Sequence, residues 1–268
     1  MAPRLAVLIV AALPLLAGCL SAPPPGTAAD VNTCRSCHEP HHVDLGTCVD
    51  CHRGNAATGR KDLAHDRLLT SGAAMHAFGS SPAVVEGKGL IDRAACRRCH
   101  RIASEGNLLA TDLDRVVWDR SQDDLRRAIT VPAEHMPRFG IAANQADDAI
   151  AYLLNVARVG RDPGPYRVYF TRSAAGANTA FEEHCGRCHR ALTADGALGS
   201  ASAGANLSGL LTPHYPGTGP GEAAWSGPAL RDWIRNPRAA RPGAVMPPFR
   251  LKDQELTEVV GQLGGPAR

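Results

Sequence analysis

Residues 185–189 read Cys-Gly-Arg-Cys-His, and the same Cys-x-x-Cys-His spacing occurs at 34–38, 48–52 and 96–100. In such a pentapeptide the two thiols can bond to two vinyl groups of one haem, and the histidine can bind the haem iron. The sequence therefore predicts four covalently bound haem c groups. The attachment residues are Cys34, Cys37, Cys48, Cys51, Cys96, Cys99, Cys185 and Cys188, and the proximal ligands are His38, His52, His100 and His189.

Structural zinc and disulfides are the two other uses of such cysteines. The four thiols of the first two motifs could form a four-thiolate zinc site. The eight motif cysteines of an exported chain could also form four bridges. Neither use explains why a histidine follows every cysteine pair, so we favour haem attachment.

The composition agrees with a protein that builds its interior around a large cofactor. Aromatic residues make up 4% of the chain, which also has 27 Gly and 20 Pro. Four haems, each a large apolar plate, would supply interior surface that these side chains lack. The net charge is +3 and the chain has no long Lys/Arg run, which argues against nucleic acid as a partner.

The second half of the chain contains an internal repeat. Residues 125–132 and 230–237 both fit Leu-Arg-x-x-Ile-x-x-Pro, with apolar residues at helical spacing and a proline at the end. A methionine segment follows each copy, at 135–139 and 245–249, and an amphipathic helix is predicted after it. The predicted apolar faces are Ile150, Leu153, Leu154 and Ala157 in the first copy and Leu256, Val259, Val260 and Leu263 in the second.

This order of segments resembles the class I cytochrome c domain, present twice, over about residues 84–160 and 165–268. The resemblance implies a mainly α fold in which a few helices wrap one haem. A Gly/Ser-rich stretch near 79–89 is expected to form the break before the first copy.

In the class I family, the methionine of Met-Pro-x-Phe is the second axial ligand of the iron. The resemblance therefore implies Met246 as the ligand opposite His189 and Met136 as the ligand opposite His100. Met136 stands only 36 residues after His100, which is short for this family, and the adjacent His135 is the alternative ligand. A methionine ligand raises the potential of a haem relative to histidine.

The first two motifs lie in a loop-rich di-haem segment, residues 31–80, that contains no Met-Pro-x-Phe sequence. Short multihaem segments take histidine as the second ligand, and spare histidines are present here. We expect His42 and His65 to be these ligands, with His41 and His76 as the alternatives. Ligation by two histidines predicts lower potentials than in the methionine-ligated domains.

Residues 1–18 resemble the signal peptide of bacterial lipoproteins, since one early charge and a short apolar run end in Leu-Ala-Gly before Cys19. The resemblance implies that Cys19 is acylated and that residues 19–30 form a Pro-rich tether. An ordinary signal peptide with a coincidental cysteine is the alternative. The signal pattern leads us to expect an exported protein that is anchored in a bacterial membrane through its lipid. Because Leu20 rather than Asp follows Cys19, the resemblance implies the periplasmic face of the outer membrane.

These features predict a tetrahaem c-type cytochrome that transfers electrons between periplasmic or membrane redox proteins. Residues 48–54 and 64–69 also resemble the lipoprotein c-type cytochromes of selenite and tellurite reduction operons. Di-haem peroxidases, in turn, are built from two class I domains. A haem enzyme or reductase subunit acting on peroxide, selenite or tellurite is therefore the alternative, although no acid/base pair stands out beside an iron that lacks a ligand.

Overall fold

Helices and loops form most of the chain, and the predicted mainly α fold is confirmed. The computed structural model describes residues 32–69, 71–133, 135–157 and 179–264, so the signal segment, Cys19 and the tether lie outside the described residues. The helices are α1 (Cys48–His52), α2 (Lys61–Ala64), α3 (Ser71–Ala74), α4 (Pro82–Arg93), α5 (Leu113–Asp119), α6 (Gln122–Thr130), α7 (Ala143–Val156), α8 (Ala180–His184), α9 (Gly227–Arg235), α10 (Pro237–Ala240) and α11 (Asp253–Leu263).

Shorter elements connect these helices. The strands β1 (Ala191–Thr193) and β2 (Gly196–Leu198) form an antiparallel hairpin directly after the last motif. Among the described residues, no helix is long and apolar enough to cross a membrane. Short 3-10 helices lie at Thr33–Ser36, Val43–Leu45, Met75–Ala77, Cys96–Arg98 and Pro220–Glu222.

The middle part of the chain is built on the packing of α4 against α7. A Cβ on Gly87 of α4 would stand 1.8 Å from the carbonyl oxygen of Asp148 in α7, so glycine lets the two helices approach closely. The prediction of a break near 79–89 is therefore wrong from Pro82 onward. Pro82 starts the helix at a position that proline favours, and the glycine serves helix packing rather than a loop.

The repeated segments form matching helices, as their spacing predicts. The hydroxyls of Ser121 and Ser226 cap α6 and α9, and each helix ends two residues before its proline. The apolar faces of α7 and α11 pack into two separate hydrophobic cores. The residues of these faces are Ile150, Leu153, Leu154 and Ala157, all buried, together with the buried Leu256, Val259 and Leu263 and the partly buried Val260.

Hydrogen bonds to backbone carbonyls, rather than a hydrophobic core of its own, keep the N-terminal segment folded. None of the described residues 32–69 is buried. The Thr33 hydroxyl lies within hydrogen-bond distance of the carbonyl oxygens of Ala56, at 2.8 Å, and Thr58, at 2.7 Å. The amide of Leu69 donates a hydrogen bond to the carbonyl oxygen of His52 at 2.8 Å. An apolar cofactor would provide the interior that these side chains do not form.

Two arginines dock this segment on α5. Arg53 donates a hydrogen bond to the carbonyl of Val117, and its guanidinium lies 4.3 Å from the centre of the Trp118 ring. Arg67 donates to the carbonyl of Trp118 at 3.0 Å. Burial, together with the nearby charge of Arg67, lowers the pKa of Arg53 to about 10. The N-terminal segment and the middle domain are therefore in direct contact.

The middle and C-terminal domains also share an interface, formed by polar side chains. The guanidinium of Arg98 lies 5.5 Å from the Tyr215 ring centre, and the amide of Asn107 donates to the Thr212 hydroxyl at 2.8 Å. The buried Ser208 hydroxyl hydrogen-bonds the Cys99 thiol. One loop of the C-terminal domain thus contacts the third motif itself.

Candidate haem-binding sites

The motif histidines of the two C-terminal domains are oriented by backbone carbonyls. Nδ1 of His100 lies 2.6 Å from the carbonyl oxygen of Thr111, and Nδ1 of His189 lies 2.8 Å from that of Ala205. A carbonyl only accepts, so Nδ1 carries the proton and the lone pair of Nε2 is free for a metal. Burial also lowers the pKa of His100, which favours the neutral, metal-binding ring. Both histidines therefore fit the role of a proximal haem ligand.

A second backbone bond repeats beside each of these rings. The amide of Leu113 donates to the carbonyl of Arg101 at 3.1 Å, and the amide of Leu207 donates to that of Arg190 at 2.8 Å. In both cases the acceptor residue directly follows the motif histidine. The donor residue lies two positions after the residue whose carbonyl binds Nδ1 of that histidine. The loop after the motif thus has the same arrangement in both domains, despite a length difference of several residues.

Glycines allow the chain to pass close to each motif histidine. A Cβ on Gly106 would stand 2.2 Å from the carbonyl oxygen of His100, and one on Gly199 would stand 2.1 Å from that of His189. Both glycines have positive φ, +114° and +62°. At these two positions only glycine meets both the close approach and the backbone conformation.

The third motif opens into a large cavity of 1080 Å³. Cys96, Cys99 and His100 line it on one side, and Met136 and His135 line it as well. Ligand pockets in proteins measure about 300–1,000 Å³, so this volume admits a large cofactor. The structure therefore brings the predicted attachment residues, the proximal histidine and both alternative distal ligands around one cavity.

In the C-terminal domain, Met246 packs against the same hydrophobic core as Cys185 of the fourth motif. Its sulfur accepts a hydrogen bond from the indole Nε1 of Trp233 at 3.1 Å. Trp225 packs edge-on against Trp233, with 5.5 Å between ring centres. A thioether sulfur keeps a further lone pair when it accepts one hydrogen bond, so Met246 can still bind a metal.

In the N-terminal segment, the ring of His65 faces the ring of His38 at the first motif. Their centres are 6.0 Å apart, with an interplanar angle of 53°. A metal–imidazole bond is about 2 Å long and the ring centre lies about 1 Å behind the nitrogen, so two rings on one metal are about 6 Å apart. The spacing of this pair suits two axial ligands of one iron.

At the second motif, the ring centre of His41 lies 5.6 Å from that of His52. Nδ1 of His52 lies 3.4 Å from the Leu69 carbonyl oxygen, an arrangement that again leaves Nε2 available. His42, the residue expected from the sequence, adopts a left-handed backbone (φ 49°) and packs edge-on against His41 at 5.2 Å. This geometry favours His41 over His42 as the partner of His52.

His76, the other alternative, belongs to the contact with the middle domain. Its carbonyl oxygen accepts a hydrogen bond from the side-chain amide of Asn155 at 2.9 Å. Burial lowers the pKa of its ring, and its Nδ1 has no hydrogen-bond partner among the described residues. Neither of the two ring pairs at the N-terminal motifs includes His76.

None of the eight motif cysteines forms a disulfide in the structure. Burial raises the pKa of Cys96 and of Cys185 to about 11. Within the described residues, no group of three or more His, Cys, Asp or Glu is placed to hold a metal ion. A haem iron differs, because it takes only two ligands from the protein.

Comparison with known families agrees with this geometry at the C-terminal site. Residues 173–261 match the family model described as Cytochrome c, and the match includes the fourth motif, the hairpin and Met246. The chain thus carries a cytochrome c domain, which supports a c-type cytochrome with covalently bound haem c and an electron-transfer role. No curated protein and no solved structure matches the chain.

Proposed function

We propose that this chain is a tetrahaem c-type cytochrome that transfers electrons between redox proteins of the periplasm or the membrane. The observation that carries the proposal is that each motif histidine has a second candidate ligand within its own part of the structure. The pairs are His38 with His65, His52 with His41, His100 with Met136, and His189 with Met246.

An iron with two protein ligands has no open position for a substrate, and such an iron is suited to electron transfer. Each bound haem would supply the one-electron chemistry of its iron. The protein holds the ring tautomers through backbone carbonyls, surrounds the haems with apolar side chains and sets the potentials through the ligand type. The contacts of Arg53 with α5 and of Ser208 with Cys99 keep neighbouring motifs together.

The middle domain resembles the C-terminal one in its backbone geometry, although the family match covers only the C-terminal domain. The carbonyls of Thr111 and Ala205 orient the two motif histidines in the same way. The helix pairs α4–α7 and α8–α11 pack on each other in their respective domains. We therefore assign a second class I domain to the middle of the chain.

Haem stoichiometry and spin state test this function. The intact mass of the protein, expressed with the haem-attachment machinery, should correspond to four haems. Its oxidised spectrum should show four low-spin haems, two of them with the methionine–iron band. A mass corresponding to fewer than four haems would disprove the tetrahaem assignment. A high-spin haem with turnover of peroxide, selenite or tellurite would instead establish an enzyme.

Single histidine variants test the N-terminal ligand pairs. His65→Ala and His41→Ala should each convert one haem to the high-spin state. His42→Ala is the matched control for His41→Ala, since the two residues are adjacent and both exposed, and it should leave four low-spin haems. Loss of a low-spin haem in His42→Ala, with none lost in His41→Ala, would reassign the ligand.

We further propose that the protein is exported and anchored through a lipid on Cys19, since residues 1–19 have the lipoprotein signal pattern. The mature protein should partition into detergent and begin at an acylated Cys19. Cys19→Ala should release it from membranes while its haem content stays the same. A soluble mature protein cleaved at another position would exclude the anchor.

A further inference from the structure

Asn206 belongs to the C-terminal domain, but its side chain contacts the methionine segment of the middle domain. Its amide Nδ2 donates to the carbonyl oxygen of His135 at 3.0 Å. Its Oδ1 accepts from the amide of Ser208 at 3.0 Å, within its own loop. The two bonds require opposite ends of one amide group, so the orientation of the side chain is fixed.

The loop that carries Asn206 also orients the proximal histidine of the fourth motif. The preceding carbonyl, of Ala205, accepts from Nδ1 of His189 at 2.8 Å. The carbonyl of Asn206 itself accepts from the Tyr215 hydroxyl at 3.0 Å. Asn206 is therefore held at its side chain and at its backbone, and it is a rigid point from which to fix another segment.

The target of Asn206 is the peptide that joins the two alternative distal ligands of the middle site. The His135 carbonyl belongs to the peptide bond between His135 and Met136, and both side chains line the 1080 Å³ cavity. Nδ1 of His135 is buried and has no hydrogen-bond partner among the described residues. Residues 192–197 of the β1–β2 hairpin line the same cavity, so the C-terminal domain completes the middle site.

The orientation of this peptide affects how closely each of the two adjacent side chains can approach an iron bound at His100. A peptide unit is planar, so fixing its carbonyl restricts the backbone on both sides. An unrestrained loop would allow the His135 imidazole to compete with the thioether of Met136. Imidazole ligation gives a lower potential than methionine ligation, because methionine favours the reduced iron.

On the basis of the tetrahaem function proposed above, we propose that Asn206 is a positioning residue that selects Met136 over His135 as the distal ligand of the middle haem. It does so from the neighbouring domain, through the loop that also orients His189. The ligand state of one haem thereby depends on the correct folding of the domain that holds the next haem.

Asn206→Asp isolates the interdomain bond. The variant keeps the acceptor for Ser208 but replaces the N–H donor with an oxygen that faces the His135 carbonyl. We expect the methionine–iron band to fall to half its wild-type intensity, the same result that we expect for Met136→Ala, and one of the two high potentials to fall. The remaining half belongs to Met246 and shows that the C-terminal domain is folded.

Two further variants separate ligand selection from general loosening of the interface. Thr212→Val removes the interdomain bond of Asn107 and should leave the band at full intensity. Asn206→Asp combined with His135→Ala should restore the band, because the competing imidazole is gone. A full band in Asn206→Asp alone, or no recovery in the double variant, would overturn the selection by Asn206. A wild-type protein with fewer than two methionine-ligated haems would also overturn this selection, whereas a mass corresponding to fewer than four haems would instead contradict the proposed function.

Discussion

Gly204 lies directly against the imidazole ring of His189. A Cβ on Gly204 would stand 2.4 Å from Cε1 of the ring and 2.6 Å from Nδ1. On its Nδ1 side, the ring is held by the Ala205 carbonyl at 2.8 Å. Contacts below 3.0 Å are not tolerated by real Cβ atoms, so the His189 ring occupies the space that any other residue at 204 would need.

Gly204→Ala should therefore displace the His189 ring and break its bond to the Ala205 carbonyl. Overpacking at such a site costs about 1–3 kcal/mol of unfolding free energy. We expect that loss in denaturant unfolding, together with loss of one low-spin His/Met haem from the spectrum. Gly243→Ala is the control, because no atom lies within 4 Å of its Cβ position. A low-spin C-terminal haem in Gly204→Ala would contradict this account of the site.

The hydrogen bond from Trp233 to the sulfur of Met246 should tune the potential of the C-terminal haem. The donor withdraws electron density from the sulfur, which favours the reduced iron. A hydrogen bond with a net free energy of about 1 kcal/mol corresponds to a shift of roughly 40 mV in a one-electron reduction potential. In Trp233→Phe we expect this potential to fall by about 20–60 mV in a redox titration, with the methionine–iron band still present.

Trp225→Phe provides a matched control for that experiment. Trp225 packs on Trp233, but its indole N–H donates to the Thr218 hydroxyl at 3.1 Å rather than to the sulfur. Its replacement should leave the potential within a few millivolts of the wild-type value. Equal shifts in the two variants would mean that aromatic packing, and not the hydrogen bond, sets the potential.

The motif sequence and the helical spacing predict much of this molecule, because both depend on local chemistry. Each Cys-x-x-Cys-His motif predicts its own attachment residues and proximal ligand, and the family match covers the fourth motif. The apolar spacing of α7 and α11 follows from the helix period. The predicted break near residues 79–89 was wrong because Gly87 lies in a helix. Glycine in a sequence does not distinguish a loop from a close helix crossing.

Contacts between distant residues could not be predicted in the same way. His41 and His42 are adjacent and chemically identical, so only the placement of their rings relative to His52 separates them. Asn206 reaches a carbonyl 71 positions away, and Asn107 reaches Thr212 over 105 positions. In sequence, such polar residues resemble ordinary solvated side chains.

Asp114 should control the stability of the loop that follows the third motif. Its carboxylate is nearly inaccessible and accepts from the amides of Ala103, at 2.6 Å, and Ser104, at 2.8 Å. Those two residues have positive φ, 56° and 64°, a conformation that is costly without such support. Asp114→Ala leaves two amides unpaired and should lower the unfolding free energy by about 2–4 kcal/mol in denaturant titrations.

Asp123→Ala is the comparison for Asp114→Ala. The Asp123 carboxylate is exposed and pairs with Arg126 on the surface of α6. An exposed ion pair contributes about 0–1 kcal/mol, so this change should be small. Equal losses in the two variants would show that the buried carboxylate does not hold the loop.

Arg53 should hold the N-terminal segment on the middle domain, since it combines a hydrogen bond to Val117 with a cation–π contact on Trp118. Burial opposes this role, because it lowers the pKa of Arg53 to about 10 and so disfavours the charged form. A cation–π contact of about 0.5–2 kcal/mol and a charged hydrogen bond of about 1.5–3 kcal/mol should outweigh that cost. Removal of the side chain should therefore loosen the segment locally.

Hydrogen exchange at the amide of Leu69 measures that loosening, because this amide donates to the His52 carbonyl beside the second motif. In Arg53→Ala, exchange there should become about 5- to 150-fold faster, corresponding to about 1–3 kcal/mol. Arg35→Ala removes an exposed arginine inside the first motif and should leave the rate unchanged. If Leu69 stayed fully protected in Arg53→Ala, the docking would have to depend on Arg67 and Asn155 instead. Under the proposed function, slower electron transfer between the N-terminal haems and the other two should accompany the faster exchange, because the segment that carries the first two motifs would no longer be held against α5.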